Sequence, residues 1–318
     1  MRTAIPLTVL ATAFACSLAT APAHAAARDR VFVASYGNDA NPCTFGSPCK
    51  TFQQAIGVVA AGGEVTAIDS AGFGPITITQ AVTITSPNGV EAGIVPVSGG
   101  DAITINAGPS DVIQLHGLTV NGSSVGHNGI TFNTAASLII ADCVIRNFTN
   151  DGIYFNPSAS STLRISDTLL DNNADAGMYL VQTGSTTVAA AIERVQASNN
   201  HNGLVLQGSN QSSAVLSVAI ADSVATNNVN DGFAAVANGG ATGGTTGVLV
   251  FRSVASNNGG AGLESQGNTA TLWVGQSAVT GNVDGWVTNF SGTLLSYGDN
   301  KIVGNATNQS APPLISNK

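Results

Sequence analysis

Asp175 and His201 stand at equivalent places in two successive copies of a repeated pattern, each two residues before a glycine, Gly177 and Gly203. An aspartate beside a histidine can orient the ring as a general base. Asp151, one residue before Gly152 in the preceding copy, adds a second carboxylate. Two carboxylates several ångströms apart are what glycosidic-bond hydrolysis uses. Two places after the glycines come Tyr154 and Tyr179, four places after come Asn133, Asn156 and Gln207, and His127 holds the histidine position of an earlier copy. Aromatic faces with planar amides suit sugar rings. Asp175, His201 and Asp151 are therefore the candidate catalytic groups, and Tyr154, Tyr179, Asn133, Asn156, Gln207 and His127 the candidate substrate-binding ones. Each has a plainer explanation. Asp or Asn before Gly suits a tight turn, Tyr suits a strand surface, and an Asp and His on neighbouring loops are commonly solvated.

A second column is less expected. His116, Asp142, Asp167, Glu193, Asp222 and Arg252 each stand two residues before an Asn-terminated run. Stacked at ~4.8 Å, the four carboxylates Asp142, Asp167, Glu193 and Asp222 would repel by roughly 1 kcal/mol per pair even in water. Either they splay into solvent at a corner, where Asp tolerates the left-handed backbone, or they are metal ligands, with calcium the candidate ion. No cofactor is otherwise required.

The elements that must position these residues follow from the repeat. Asn128-Gly-Ile-Thr-Phe-Asn133, Asp151-Gly-Ile-Tyr-Phe-Asn156, Ala176-Gly-Met-Tyr-Leu-Val181, Asn202-Gly-Leu-Val-Leu-Gln207, Asp231-Gly-Phe-Ala-Ala-Val236, Ala261-Gly-Leu-Glu-Ser-Gln266 and Asp284-Gly-Trp-Val-Thr-Asn289 superpose without gaps. Their spacing is that of one coil of a three-sided solenoid. Before each glycine lie an alternating apolar run, such as Leu138–Ile140 or Leu216–Ile220, and a short run ending in asparagine, such as Val144–Asn147 or Val224–Asn227. Alternation of period two buries one face of each strand, and parallel stacking at ~4.8 Å satisfies the backbone. The fold expected is an all-β right-handed parallel β-helix of about nine three-strand coils. Ile130, Ile153, Met178, Leu204, Phe233, Leu263 and Trp286 should form one inward column. The terminal asparagines should form a ladder at a corner.

Other segments are punctuation. Arg2, an apolar run and Ala23-His24-Ala25 read as a signal peptide over 1–25, so a secreted, periplasmic or cell-surface protein with no membrane span is expected. Residues 26–63 should form a cap containing a short helix over Lys50–Ala61, residues 64–305 the solenoid, and 306–318 a polar tail. Cys43 and Cys49 flank a turn-rich pentapeptide and should be bridged, whereas Cys143 lies in an apolar strand and should be a buried thiol. A net charge of −8 with 9% charged residues excludes nucleic acid as a partner.

The opening Val31-Phe-Val-Ala-Ser-Tyr-Gly-Asn-Asp-Ala-Asn-Pro, the following Lys50-Thr-Phe-Gln-Gln-Ala-Ile56 and the Asn-x-x-x-Asp-Gly-Ile coils resemble secreted members of the pectin-lyase-like β-helix superfamily. The resemblance implies a parallel β-helix with a substrate groove on the outer face of the Tyr154 and Tyr179 strands. It implies no one chemistry, because the scaffold carries lyases, hydrolases, epimerases and adhesins. The Asn-Thr-Asp, Asp-Asp, Gly-His-Gly and Arg-Ile-Lys hallmarks of polygalacturonases and the Asp-Pro-His of alginate epimerases are missing. Nor does the register put any Lys or Arg on the tyrosine face, which counts against a polyuronate lyase unless calcium substitutes. The reading is a β-helix that binds polysaccharide or cell-surface glycan, or serves as a structural module, along that face. The alternative is a polysaccharide-acting hydrolase, lyase or epimerase with its site on the same face.

Overall fold

The computed structural model describes residues 28–237, 243–307 and 310–315, so the expected signal segment lies outside the described residues. Among the described residues, strands stack into three parallel sheets of 11, 9 and 10 strands, visited in turn by each coil. This is the expected right-handed solenoid. The predicted inward column pairs coil to coil, Ile130 on Ile153, then Met178, Leu204, Phe233, Leu263 and Trp286. The first six are buried and Trp286 packs against the core at its lower end. Phe132 and Phe155 stack in the same sheet with centroids 4.2 Å apart.

Close stacking explains the repeated glycine. A Cβ on Gly152 would lie 2.5 Å from the Gly177 carbonyl oxygen and 2.8 Å from Asn173 Nδ2, so no side chain fits between coils there.

The corner asparagines divide their work between two neighbouring positions. Asn147, Asn172, Asn227 and Asn257 take positive φ as expected, and Asn199 joins them. The long ladder, however, runs through the residue that follows. Asn173, Asn200, Asn228, Asn258, Asn282 and Asn305 are buried, and each Nδ2 of the first five donates to Oδ1 of the next at 2.8–3.3 Å. The same Oδ1 atoms accept the backbone N–H of the coil before. The left-handed residue reverses the alternation, so the next side chain turns inward instead of outward. Asn282, expected as a terminal asparagine, belongs to the buried ladder, and Gly281 takes the left-handed place.

The first end is closed more compactly than expected. β1 (Arg28–Val33) already pairs with β2 (Val59–Ala67), so the sheet begins before residue 64. Helix α1 covers Phe52–Val58 only, capped by Thr51 Oγ1, which accepts from Gln54 N at 3.1 Å. The helix stops ahead of Gly62-Gly63 because β-branched Val59 pairs with Arg28. Gln53 Oε1 accepts Thr77 N at 2.7 Å, occupying the free edge of the 9-stranded sheet. Cys43 and Cys49 are bridged, and Cys49 O and Cys43 O accept from Ala34 and Phe32 along the edge of β1. At this end the edges of the 11- and 9-stranded sheets are thus covered against pairing with another chain. Cys143 is buried and free, and burial pushes its thiol up to about 12, so it is inert.

Candidate functional site

The outer face of the 9-stranded sheet carries a cavity of about 360 Å³ lined by His127, Asn128, Asn150, Asp151, Tyr154, Asp175 and Tyr179. Register places them. Tyr154 pairs directly with Tyr179 on the next coil, and the half-buried rings lie 6.1 Å apart at 60°. Asn156 Nδ2 donates to the Tyr154 hydroxyl at 3.2 Å, and the Tyr179 hydroxyl donates to Gln207 Oε1 at 2.7 Å. Asn156 and Gln207 thus hold the rings in place. Asn133 is paired with Asn106 at 2.8 Å and lies outside the cavity.

Asp151 is 1% exposed. Its Oδ1 accepts the Ala176 backbone N–H at 3.0 Å and its Oδ2 accepts Asn150 Nδ2 at 3.2 Å. The turn role and the site role therefore coexist in one residue. Burial, with a smaller push from Asp175, raises its pKa to about 7, against the Ala176 hydrogen bond and nearby His127, which lower it. A carboxyl that holds a proton near neutral pH beside a cleft can act as an acid or a base. Burial likewise raises the Tyr179 phenol, helped by Tyr154, Asp151 and Asp175.

The Asp175–His201 pair is a correction. Backbone register is as expected, with His201 N donating to Asp175 O at 2.8 Å. Among the described residues no side-chain hydrogen bond or ion pair joins them. His201 lines a separate crevice of about 340 Å³ at the asparagine corner, while Asp175 lines the tyrosine cavity. At this corner position the side chain can lean to either side of the backbone, and the two lean apart. On this face the aspartate–histidine contact lies three coils earlier. His127 Nδ1 is 3.2 Å from Asp101 Oδ1, which also accepts Asn128 N at 3.0 Å, while Thr131 Oγ1 donates to Asp101 Oδ2 at 2.6 Å. Asp101 was not singled out from sequence, although it shares a register column with Asn128 and Asp151.

A second residue missed is Glu264, in the register of Tyr179 through Val205 and Ala234. It is 9% exposed, Asn289 Nδ2 donates to it at 2.8 Å, and burial, with neighbouring Asp231, raises its pKa. The only sequence signal is a carboxylate where other copies carry Thr, Tyr, Val or Ala.

The acidic column is also corrected. Asp142, Asp167 and Asp222 do occupy left-handed corners, with φ of 54°, 50° and 50°. His116 and Glu193 do not, because they pair with Ala141 and Ser166, one place earlier, and Arg194 takes the corner in the coil of Glu193. Arg194 grips Asp167 at 2.6 and 2.8 Å and also contacts Glu193, and Arg252 grips Asp222 at 2.8 and 2.6 Å. These guanidiniums hold both aspartates below the usual carboxylate range. Asp142 lies 3.4 Å from His116 Nδ1. Asp167, Glu193 and Asp222 are thus paired by arginines of the chain itself. Among the described residues no group of three or more His, Cys, Asp or Glu is arranged to hold a metal.

No family model matches the chain, and no curated protein does. Solved structures do. A pectate lyase is similar over 90% of this chain and 81% of its own, at TM-score 0.59 and 16% identity. A polygalacturonase from Erwinia carotovora ssp. carotovora matches over 84% and 94%, at TM-score 0.42 and 13% identity. The A-module of an Azotobacter vinelandii mannuronan C-5 epimerase matches over 80% and 89%, at TM-score 0.40 and 11% identity. At these identities the likeness is one of fold.

Proposed function

We propose that the protein is an exported glycan-binding β-helix that holds polysaccharide across the Tyr154 and Tyr179 cleft. One observation carries the reading. Two tyrosines on adjacent coils, each hydroxyl tied to an amide, form a stiff aromatic floor beside the polar groups of His127, Asp151 and Asp175. Rings fixed in advance lose little freedom when a sugar stacks on them. The sheet is long enough to seat several sugar units in a row, since its strands stack through nine coils. The Cys43–Cys49 bridge and the signal-like first segment support export.

The second reading, catalysis in the same cleft, is favoured by the Asp151 carboxyl, whose pKa is raised to about 7. In that case Asp151 is the proton-transferring group and Asp101 orients His127 across the cleft. Incubation of the purified protein with a polysaccharide panel tests both. Co-sedimentation with polymer supports binding, and new reducing ends or unsaturated uronate absorbance support catalysis. Neither on any polymer defeats both readings.

A further inference from the structure

The charges of the chain are segregated between its faces. Eight lysines and arginines fall among the described residues: Arg28, Arg30, Lys50, Arg146, Arg164, Arg194, Arg252 and Lys301. The first two belong to β1, Lys50 to the cap, and the others to the 11- and 10-stranded sheets and the corner between them. The strands of the 9-stranded sheet contain none. Asp101, Asp151, Asp175, Asp231 and Glu264 all stand in or beside those same strands. Asp175 lines the tyrosine cavity beside Asp151, which gives up its proton only near neutral pH, and Asp231 and Glu264 continue the face further along the sheet. The arginines that could have neutralised carboxylates are committed to Asp167, Glu193 and Asp222 around the corner.

From this segregation we infer that the glycan held on the 9-stranded sheet carries no carboxylate: it is neutral or amine-bearing, not a polyuronate. The inference rests on the glycan-binding reading above. A polyuronate lying along this face would bring its own carboxylates within a Debye length of the protein's, and the described strands of this sheet offer no Lys or Arg to meet them. Each like-charge pair at contact distance weakens binding about fivefold in bulk water, and more in a sheltered cleft. Hydroxyls of a neutral sugar can instead donate to Asp175 and stack their ring on Tyr154 and Tyr179, and an amine adds charge attraction.

Affinity electrophoresis and calorimetry with mixed-linkage glucan, galactan, chitosan, polygalacturonate and alginate test the inference at pH 7, with and without added calcium. The expected result is at least one of the first three binding tenfold or more tightly than either polyuronate. Affinity that falls with salt marks an amine-bearing ligand, and salt-independent affinity a neutral one. Asp175→Asn should narrow the discrimination against polygalacturonate by several-fold. Tighter or equal binding of a polyuronate, with calcium or without, overturns the inference. Failure of the underlying reading looks different: Tyr179→Ala then leaves binding of every glycan unchanged, whichever charge class is preferred. If nothing in the panel binds, both fall together.

Discussion

Asp151 Oδ1 accepts the backbone N–H of Ala176, one coil further on, at 3.0 Å. That bond ties a buried carboxyl to the register of the sheet, and the burial, which the bond offsets only in part, creates a pH liability. An acid whose folded pKa is raised binds more protons folded than unfolded, so stability falls as pH climbs through the interval between the two values. Here the interval runs from the ordinary 3.8 to about 7, and the loss levels off above it at about 4 kcal/mol. Asp151→Asn keeps an acceptor for Ala176 N and carries no charge. Unfolding midpoints at pH 5 and pH 8 should show the variant gaining on the wild type as pH rises. A difference that does not change with pH means that Asp151 is already ionised at the lower value.

Tyr179 separates the stacking role from the tether. Removing the ring by Tyr179→Ala should weaken glycan binding by about 0.5–1.5 kcal/mol with little change in unfolding, because the side chain is half-buried on the outer face. Tyr179→Phe keeps the ring and loses only the bond to Gln207, so most affinity should remain. Calorimetry against the bound polymer reads the difference. Equal losses in both variants would show that the hydroxyl, not the ring, meets the sugar.

The coil register was readable because two signals agree: glycine where no Cβ fits, and apolar residues at alternate positions after it. Ile130, Ile153 and Met178 accordingly pair as the pattern requires. Register also placed Tyr154, Tyr179 and Asp151 on one face. What it could not give is the direction of a side chain at a corner. Asp175 and His201 share a column and a backbone hydrogen bond, yet line different cavities. Asp101 meets His127 across a coil step, a contact set by rotamers that leave no mark in the spacing. The helix, expected to run to Ala61, ends at Val58 for a related reason: strand pairing with Arg28 claims Val59.

The bridge between Cys43 and Cys49 closes a short loop that lies along the edge of β1. Loop-closure entropy for so few residues is worth about 2–3 kcal/mol. Replacing both cysteines by serine should therefore loosen the cap without unfolding the coils below. Hydrogen exchange should speed up at Phe32 and Ala34, whose N–H groups donate to Cys43 and Cys49, and stay slow at Ile153 and Met178 in the middle of the solenoid. Uniform acceleration along the whole chain would show that the cap and coils unfold as one unit.

Asn227 and Asn228 are adjacent and chemically identical, yet they should respond oppositely to substitution. Asn227 has φ 56° and Asn228 is buried in the ladder. Asn227→Gly keeps the left-handed backbone at no steric cost and should change stability by less than about 0.5 kcal/mol. Asn228→Gly removes the Oδ1 that accepts Asn200 N at 3.1 Å and Asn200 Nδ2 at 3.3 Å. It also removes the Nδ2 bonded to Ala197 O at 3.2 Å and Asn258 Oδ1 at 2.9 Å. Each buried group left without a partner costs about 1–3 kcal/mol, so a total of about 3–5 kcal/mol is expected after partial relaxation. Denaturant unfolding of the two single variants side by side measures the contrast. Equal and small effects would mean that the inner ladder contributes nothing beyond packing. A larger loss at Asn227 would return the stabilising ladder to the outer position.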